Sequence, residues 1–90
     1  MTSTQTITVH LRYFAAAAEA VGLHEERLLL AAGANAQNLA AAIAAAHPGA
    51  RRVLEISALL VDGVTCDDRS APLTFGDAVR VDVLPPFAGG

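Results

Sequence analysis

The sequence contains no lysine and no tryptophan, one cysteine, and only four aromatic side chains among 90 residues. Without lysine, the chain cannot form a Schiff base or supply the lysine of a Walker-type phosphate loop. The single cysteine, Cys66, cannot form an internal disulfide or a cysteine-rich metal site. Six arginines against nine acidic residues give a net charge of −3. Nucleic-acid binding normally needs a basic surface, so we expect no nucleic-acid partner.

Long apolar runs and targeting features are scarce as well. The longest apolar-rich stretch, residues 39–46, is far shorter than the ~20 residues that span a bilayer. The first residues lack the basic region and the apolar run of a secretory signal. We therefore expect a cytoplasmic domain with no membrane contact. A chain of this length forms one small domain with little room for an enclosed active site.

Alternation of apolar and polar residues predicts strands at both ends of the chain. Residues 6–13 alternate cleanly, and their apolar members, Ile7, Val9 and Leu11, are assigned to the core. Residues 78–84 alternate again, and residues 25–30 read as a further strand. Asp62-Gly63 favours a tight turn. It predicts a hairpin between residues 58–61 and residues 64–66, the second of which includes Cys66.

Two helices are predicted between these strands. Residues 14–21 are rich in alanine and end at Gly22, which favours a helix stop. Asn35 is a candidate N-cap for a longer helix that ends at His47-Pro48-Gly49. The apolar stripe of that helix consists of Leu39, Ala42, Ile43 and Ala46. Residues 50–56 are ambiguous and can be read as a helical turn. One main helix on one sheet gives a two-layer α+β domain.

The tail, residues 85–90, is apolar and uncharged: Pro85, Pro86, Phe87, Ala88, Gly89 and Gly90. The prolines stop the strand and favour a stiff, extended exit. Six extended residues reach roughly 20 Å. The glycines carry no Cβ and can enter a channel too narrow for side chains. A carboxylate at Gly90 becomes an acyl donor only after activation, which another protein must perform here.

Four features together resemble the MoaD/ThiS family of prokaryotic ubiquitin-like sulfur carriers. They are residues 11–15 (Leu-Arg-Tyr-Phe-Ala), Glu19 with Gly22, residues 73–79 around Gly76-Asp77, and the tail. The resemblance covers nearly the whole chain, is most specific in the tail, and is strongest to the carriers that serve molybdopterin synthase. It implies a β-grasp (ubiquitin-like) fold with a mixed sheet of four to five strands on one main helix. Residues 1–84 would form the domain and residues 85–90 the extended tail.

The resemblance also implies a chemistry. An adenylyltransferase (MoeB-like, similar to the ubiquitin activators) would use Mg-ATP to adenylate Gly90, and no cofactor would be bound by this chain itself. A sulfur donor, a rhodanese or a cysteine desulfurase, would then convert the adenylate to a thiocarboxylate. The tail, with Gly89 beside the reacting residue and Phe87 as an anchor, would enter the large subunit of molybdopterin synthase (MoaE-like). There the sulfur would pass to cyclic pyranopterin monophosphate, and catalytic side chains would come from that partner.

Other reactive residues have simpler interpretations. Cys66 is expected to act as a small apolar side chain. His10, His24 and His47 lie on different elements without metal-ligand spacing. The aspartates at positions 62, 67 and 68 lack the pattern of a calcium loop and are assigned to turns. Arg51 and Arg52 are expected in an exposed turn. The outer face of the sheet, with Leu84 and Phe87, is a candidate partner surface.

Two alternatives to a molybdopterin role remain open at this point. One is a sulfur carrier for thiazole (thiamine) or cysteine biosynthesis, which would share the chemistry of Gly90. The other is a ubiquitin-like modifier or binding module. Without lysine, such a modifier could not build lysine-linked polymers of itself, although single attachment to a target would still be possible.

Overall fold

A computed structural model describes residues 5–86 of the chain. Its strands are β1 (Thr6–Tyr13), β2 (Glu25–Ala31), β3 (Ala58–Val61), β4 (Val64–Thr65) and β5 (Ala78–Leu84). Its helices are α1 (Ala16–Val21), α2 (Ala36–Ala46) and α3 (Arg51–Ile56), the last preceded by a 3-10 turn at Pro48–Ala50. Within these residues no helix is long and apolar enough to cross a bilayer.

The five strands form one mixed sheet in the order β2-β1-β5-β3-β4. Strands β1 and β5 lie parallel at its centre, whereas β2 pairs antiparallel with β1 and β3 pairs antiparallel with β5. The first and last strands of the chain are therefore hydrogen-bonded neighbours. This arrangement confirms the α+β class and the mixed sheet predicted from the sequence.

The alternation of β1 and β5 separates a core face from an open face. Residues Ile7, Val9, Leu11 and Tyr13 of β1 are buried, as are Val79, Val81 and Val83 of β5. The helices cover this core face, and Leu39 and Ile43 of α2 are fully buried. The assignment of Ile7, Val9 and Leu11 to the core is confirmed. The residues between them point to the open face, which no described element of the chain covers.

Helix α2 begins at the predicted cap. The Asn35 side chain accepts a hydrogen bond from the Asn38 backbone N–H at 2.8 Å, and the Asn38 side chain accepts one from the Asn35 backbone N–H at 2.9 Å. This reciprocal capping box satisfies two N–H groups that a helix start leaves unpaired. The predicted stripe is only partly buried, because Ala46 lies exposed at the end of the helix.

The other two helices differ in detail from the sequence prediction. The helix predicted for residues 14–21 begins only at Ala16, because the preceding residues form a turn in which the Phe14 carbonyl accepts a hydrogen bond from the Ala17 N–H at 3.0 Å. Ala15 has φ 50° and ψ −126° there, a conformation that alanine rarely adopts. The ambiguous residues 50–56 contain the full helix α3, which buries Leu54 against the core.

The predicted hairpin is confirmed, with a shorter second strand. Asp62 and Gly63 both have positive φ, 48° and 83°, as a two-residue hairpin turn requires. Strand β4 ends at Thr65, so Cys66 lies just outside it, although the Cys66 N–H still donates to the Leu59 carbonyl at 2.8 Å. Gly22 ends α1 with φ 81°, as predicted.

Candidate functional site

The tail leaves the domain at the end of β5. Leu84 is the last paired residue and lies opposite Ala58 of β3, while the Val83 carbonyl accepts a hydrogen bond from the Phe14 N–H at 3.2 Å. Pro85 is half-buried and Pro86 is exposed. Neither has an N–H group, so the ladder cannot continue through them. The predicted site residues Phe87, Ala88, Gly89 and Gly90 lie outside the described residues.

An ion pair fixes β5 to β1 just before the tail. Arg12 donates from Nε to Asp82 Oδ1 at 2.7 Å and from Nη2 to Asp82 Oδ2 at 2.8 Å. These residues face each other in the parallel β1–β5 register on the open face. The Asp82 side chain is only 10% exposed, whereas that of Arg12 is 43% exposed. Planar guanidinium and carboxylate groups in this two-bond geometry form one of the stronger polar contacts in proteins.

The charges of this ion pair stabilise each other. The hydrogen bonds from Arg12 hold the pKa of Asp82 below its usual range, against the opposing effect of burial. The same hydrogen bonds, with the charge of Asp82, raise the pKa of Arg12. Arg12 also lies over the ring of Phe14, with its guanidinium carbon 5.5 Å from the ring centroid. The polar contact and the cation–π contact together connect β5 to the turn that follows β1.

Apolar side chains surround the exit of the tail on the open face. Leu84 and Leu60 are half-buried there, and Ala58 is exposed. Phe14, 37% exposed, completes the rim. The structure thus places Leu84 on the outer face of the sheet, as expected for the candidate partner surface. An apolar rim at the point where the tail leaves the sheet can contact a partner that also binds the tail.

A second polar cluster lies on the core side and was not predicted. Tyr13 donates a hydrogen bond from its hydroxyl to Glu26 Oε1 at 2.7 Å, and His47 Nε2 lies 2.9 and 3.0 Å from the two Glu26 oxygens. Burial, followed by the hydrogen bond to Glu26, raises the pKa of Tyr13. His47 ends α2, so this cluster joins the main helix to β1 and β2. Its residues are far apart in sequence, and no motif indicates it.

The remaining candidates behave as turn and packing residues. Asp68 accepts hydrogen bonds from the backbone N–H and the hydroxyl of Ser70, which lowers the pKa of Asp68. Asp62 accepts one from the Arg80 N–H at 3.0 Å. Cys66 is half-buried against the core. Between residues 5 and 86 no group of three or more His, Cys, Asp or Glu side chains could hold a metal ion.

Two residues predicted in a turn lie elsewhere. Arg51 and Arg52 are exposed, as expected, but they belong to α3. A surface depression of about 680 Å³, bordered by Thr6, Gly33 and Phe75, lies at the opposite end of β5 from the tail. Seven residues of strand separate the two ends by roughly 23 Å. That depression is therefore remote from the tail and is not part of the candidate site.

Comparison with known proteins identifies the family. The ThiS family matches residues 11–90. The chain is 36% identical over 84 residues to the molybdopterin synthase sulfur carrier subunit of Chlamydomonas reinhardtii, a match that covers 91% of this chain and 98% of that protein.

Solved structures show the same fold. SAMP1 from Haloferax volcanii superposes with a TM-score of 0.77 at 22% identity, covering 92% of this chain and 99% of that one. One chain from the complex of subunits 1 and 2 of molybdopterin-converting factor from Helicobacter pylori superposes with a TM-score of 0.63 at 21% identity. The match covers 93% of this chain and 100% of that one. The family match over most of the chain, the relative that matches 91% of it and the β-grasp sheet agree. The chain belongs to the ThiS family, the MoaD/ThiS group of ubiquitin-like proteins that its sequence resembles.

Proposed function

We propose that this chain is the sulfur-carrier subunit of a molybdopterin synthase. The observation that carries the proposal is the 36% identity with the sulfur carrier subunit of Chlamydomonas reinhardtii, which extends over 98% of that protein. The Gly89-Gly90 ending of the sequence agrees with it, because family resemblance assigns the sulfur to the final glycine. The proposed function concerns the group that Gly90 carries rather than a side chain of the domain.

The proposed chemistry replaces one oxygen of the Gly90 carboxylate with sulfur. The carboxylate attacks the α-phosphorus of ATP, bound as Mg-ATP by a MoeB-like adenylyltransferase, and pyrophosphate leaves. A persulfide of the sulfur donor, a rhodanese or a cysteine desulfurase, then displaces AMP and forms an acyl disulfide. A thiol reduces this bond, which leaves the thiocarboxylate on Gly90 and a mixed disulfide on the donor. The thiocarboxylate sulfur then attacks a carbon of cyclic pyranopterin monophosphate and displaces an oxygen substituent. Water hydrolyses the resulting thioester, which leaves the sulfur on the pterin and regenerates the carboxylate of Gly90.

Within this function the domain fixes the point at which the tail leaves the sheet. Strand β5 has a neighbour on both sides, β1 and β3, so the last residue before Pro85 belongs to the centre of the sheet. The Arg12–Asp82 ion pair adds a side-chain contact two residues before Leu84. Pro85 and Pro86 then restrict the directions in which the tail can leave. A tail that starts from a fixed point loses less entropy when a partner binds it.

We further propose that the large, catalytic subunit (MoaE-like) binds the apolar rim around the tail exit. Leu60, Leu84 and Phe14 supply apolar contact area beside the tail. In Helicobacter pylori, subunits 1 and 2 of molybdopterin-converting factor form a protein–protein complex. A partner that binds both the rim and the inserted tail gains contact area beyond a flat patch, and stable interfaces bury ~1,600 Å² in total.

Intact and peptide mass spectrometry tests the sulfur assignment. The protein is incubated with the adenylyltransferase, Mg-ATP and the sulfur donor, and we expect a gain of about 16 Da from replacing oxygen with sulfur. Arg80 is the last arginine and the chain has no lysine, so trypsin releases residues 81–90 as one peptide. Cys66 falls in a separate peptide, residues 53–69. A gain on residues 81–90 supports the proposal, and persistent absence of it under activating conditions contradicts it.

Two variants complete the test. Deletion of Gly90 is expected to abolish the mass gain and sulfur transfer while the urea unfolding curve stays unchanged. Cys66→Ser is the matched control and is expected to retain both. Loss of transfer in a folded Cys66→Ser protein would instead make Cys66 a sulfur relay. Binding to the large subunit separates a molybdopterin role from thiazole or cysteine biosynthesis, and an isopeptide-linked product would favour a modifier.

A further inference from the structure

A row of basic side chains crosses the open face of the sheet. The strand register places Arg27 of β2 opposite His10 of β1, and His10 opposite Arg80 of β5. All three residues are exposed. Neighbouring strands lie about 4.8 Å apart, so the three side chains start within roughly 10 Å of one another. We name Arg27, His10 and Arg80 the basic row.

Acidic residues lie near the basic row, Glu25 in the adjacent row and Asp62 beside Arg80, but within the described part of the chain no side chain forms a salt bridge with the row. Neither Arg27 nor Arg80 is among the residues that form salt bridges there. In the adjacent row, by contrast, Arg12 is fully paired with Asp82. Arg27 and Arg80 lie on either side of His10, two strands apart, and neither has an ion-pair partner among the described residues, so both are available to an anionic group supplied from outside.

The basic row is continuous with the exit of the tail. Arg80 and Leu84 lie on the same strand and the same face, four residues or about 13 Å apart. A depression of about 290 Å³ is bordered by the three members of the basic row, by Arg12, and by the acidic residues Glu25 and Glu26. No part of residues 5–86 closes over this depression, so it can receive side chains of another protein. A partner that binds the tail at Pro85 would also contact the basic row.

We propose that the basic row binds an acidic segment of the large catalytic subunit, so that charge recognition on the sheet accompanies insertion of the tail. This inference rests on the proposed function, which supplies the partner. Two guanidinium groups can each donate two hydrogen bonds to a carboxylate, and His10 between them adds a further hydrogen-bond donor. Glu25 lies in the adjacent row and borders the same depression, so a long polyanion such as a nucleic acid would meet repulsion beside the basic row.

The test measures how fast the full-length protein associates with the large subunit at two ionic strengths. The variant is Arg27→Glu/Arg80→Glu, and the matched control is Arg51→Glu/Arg52→Glu, which changes the net charge equally on helix α3. At about 10 mM ionic strength the sheet variant is expected to associate at least about tenfold more slowly. At about 1 M, where the screening length is about 3 Å, its deficit is expected to vanish.

The milder variant Arg27→Gln/Arg80→Gln covers the case in which the reversed charges disturb the fold. On a logarithmic scale, its association rate is expected to fall by about half as much as that of the sheet variant. Its circular dichroism spectrum should match that of the unaltered protein. Equal slowing by the sheet variant and the α3 control would show an effect of net charge alone and would overturn the inference, as would unchanged rates. Displacement of the large subunit by a short single-stranded oligonucleotide would assign the basic row to phosphates and also overturn it.

The experiment separates this inference from the proposed function. If the unaltered protein binds the large subunit but the basic row has no effect, the inference fails and the sulfur-carrier function stands. If binding depends on the basic row while Gly90 never gains sulfur, the inference is supported and the sulfur chemistry is wrong. If the unaltered protein does not bind the large subunit, both are wrong.

Discussion

Replacing Asp82 with asparagine tests whether the ion pair before the tail stabilises the domain. The substitution keeps the shape of the side chain and one acceptor oxygen, but it removes the negative charge that Arg12 contacts at 2.7 and 2.8 Å. The perturbation is confined to the open face, because the core residues Val81 and Val83 on either side of Asp82 are unchanged. We expect the variant to fold and to be less stable.

The size of the loss follows from the burial of the two partners. Removing one member of a buried ion pair costs about 3–5 kcal/mol, whereas a surface pair contributes about 0–1 kcal/mol. Asp82 is nearly buried, but Arg12 is 43% exposed and its freed guanidinium can be hydrated. We therefore expect Asp82→Asn to lower the free energy of unfolding at neutral pH by about 1–2 kcal/mol, below the cost for a fully buried pair.

The stability that Asp82→Asn removes should be largest near neutral pH and should decrease in acid. The pKa of Asp82 is lowered in the folded protein. A carboxyl of this kind stabilises the fold above its unfolded pKa, about 3.9 for aspartate, and this contribution is lost as the pH falls through the folded value. The difference in unfolding free energy between the unaltered protein and Asp82→Asn should therefore be constant from pH 7 down to about pH 5. Below about pH 4 it should shrink steadily.

Urea unfolding followed by circular dichroism measures these differences. Glu25→Gln is the matched control, because Glu25 lies opposite Arg12 on the other neighbouring strand and makes no salt bridge that the structure records. It should change stability by less than about 0.5 kcal/mol. A stability loss for Asp82→Asn that is the same at pH 3 and pH 7, or no greater than that of Glu25→Gln, would refute the assigned role of the ion pair.

Three further predictions concern local structure. Asn35→Ala removes one half of the capping box and should lower the free energy of unfolding by about 1 kcal/mol, measured in urea. Ala15→Gly relieves the strain of the positive φ in the turn before α1 and should raise the free energy of unfolding by about 1 kcal/mol, seen as a higher melting temperature. A lower melting temperature would contradict the strained turn. Tyr13 is the only tyrosine, so near-ultraviolet absorbance reports its ionisation directly. Because its pKa is raised, it should remain protonated well above pH 10, and stability should fall as the pH rises beyond that point.

Local patterns in the sequence were sufficient for much of the fold. The bounds of β1 and β5 follow from strict alternation with β-branched residues, because only one face of each strand packs on the helices. The start of α2 follows from Asn35, since few residue types can accept a hydrogen bond at a helix start. The hairpin follows from Asp62-Gly63, whose positive φ angles suit few other pairs. In each case neighbours in sequence decide the structure.

Structure set by distant contacts could not be predicted in the same way. Helix α3 has only six residues, and its place is decided by packing of Leu54 on the core. The delayed start of α1 depends on a turn at Ala15 that alanine does not signal. Arg12 and Asp82 are 70 residues apart, and their contact exists only in the parallel β1–β5 register. The composition of the tail was visible in the sequence, but its surroundings required knowing which strands are neighbours.

The parallel pairing of β1 and β5 positions two polar features near the tail exit, the Arg12–Asp82 ion pair and the basic row. It brings Arg12 beside Asp82 near the tail and His10 beside Arg80 one row farther away, so that one row is neutralised internally and the next remains charged. A shift of this register by two residues would keep the same core face. It would, however, break the Arg12–Asp82 contact in either direction, because Arg12 would then lie beside Arg80 or beside Leu84. The core therefore tolerates alternatives that the open face does not, and the ion pair selects the register that positions both the tail exit and the basic row.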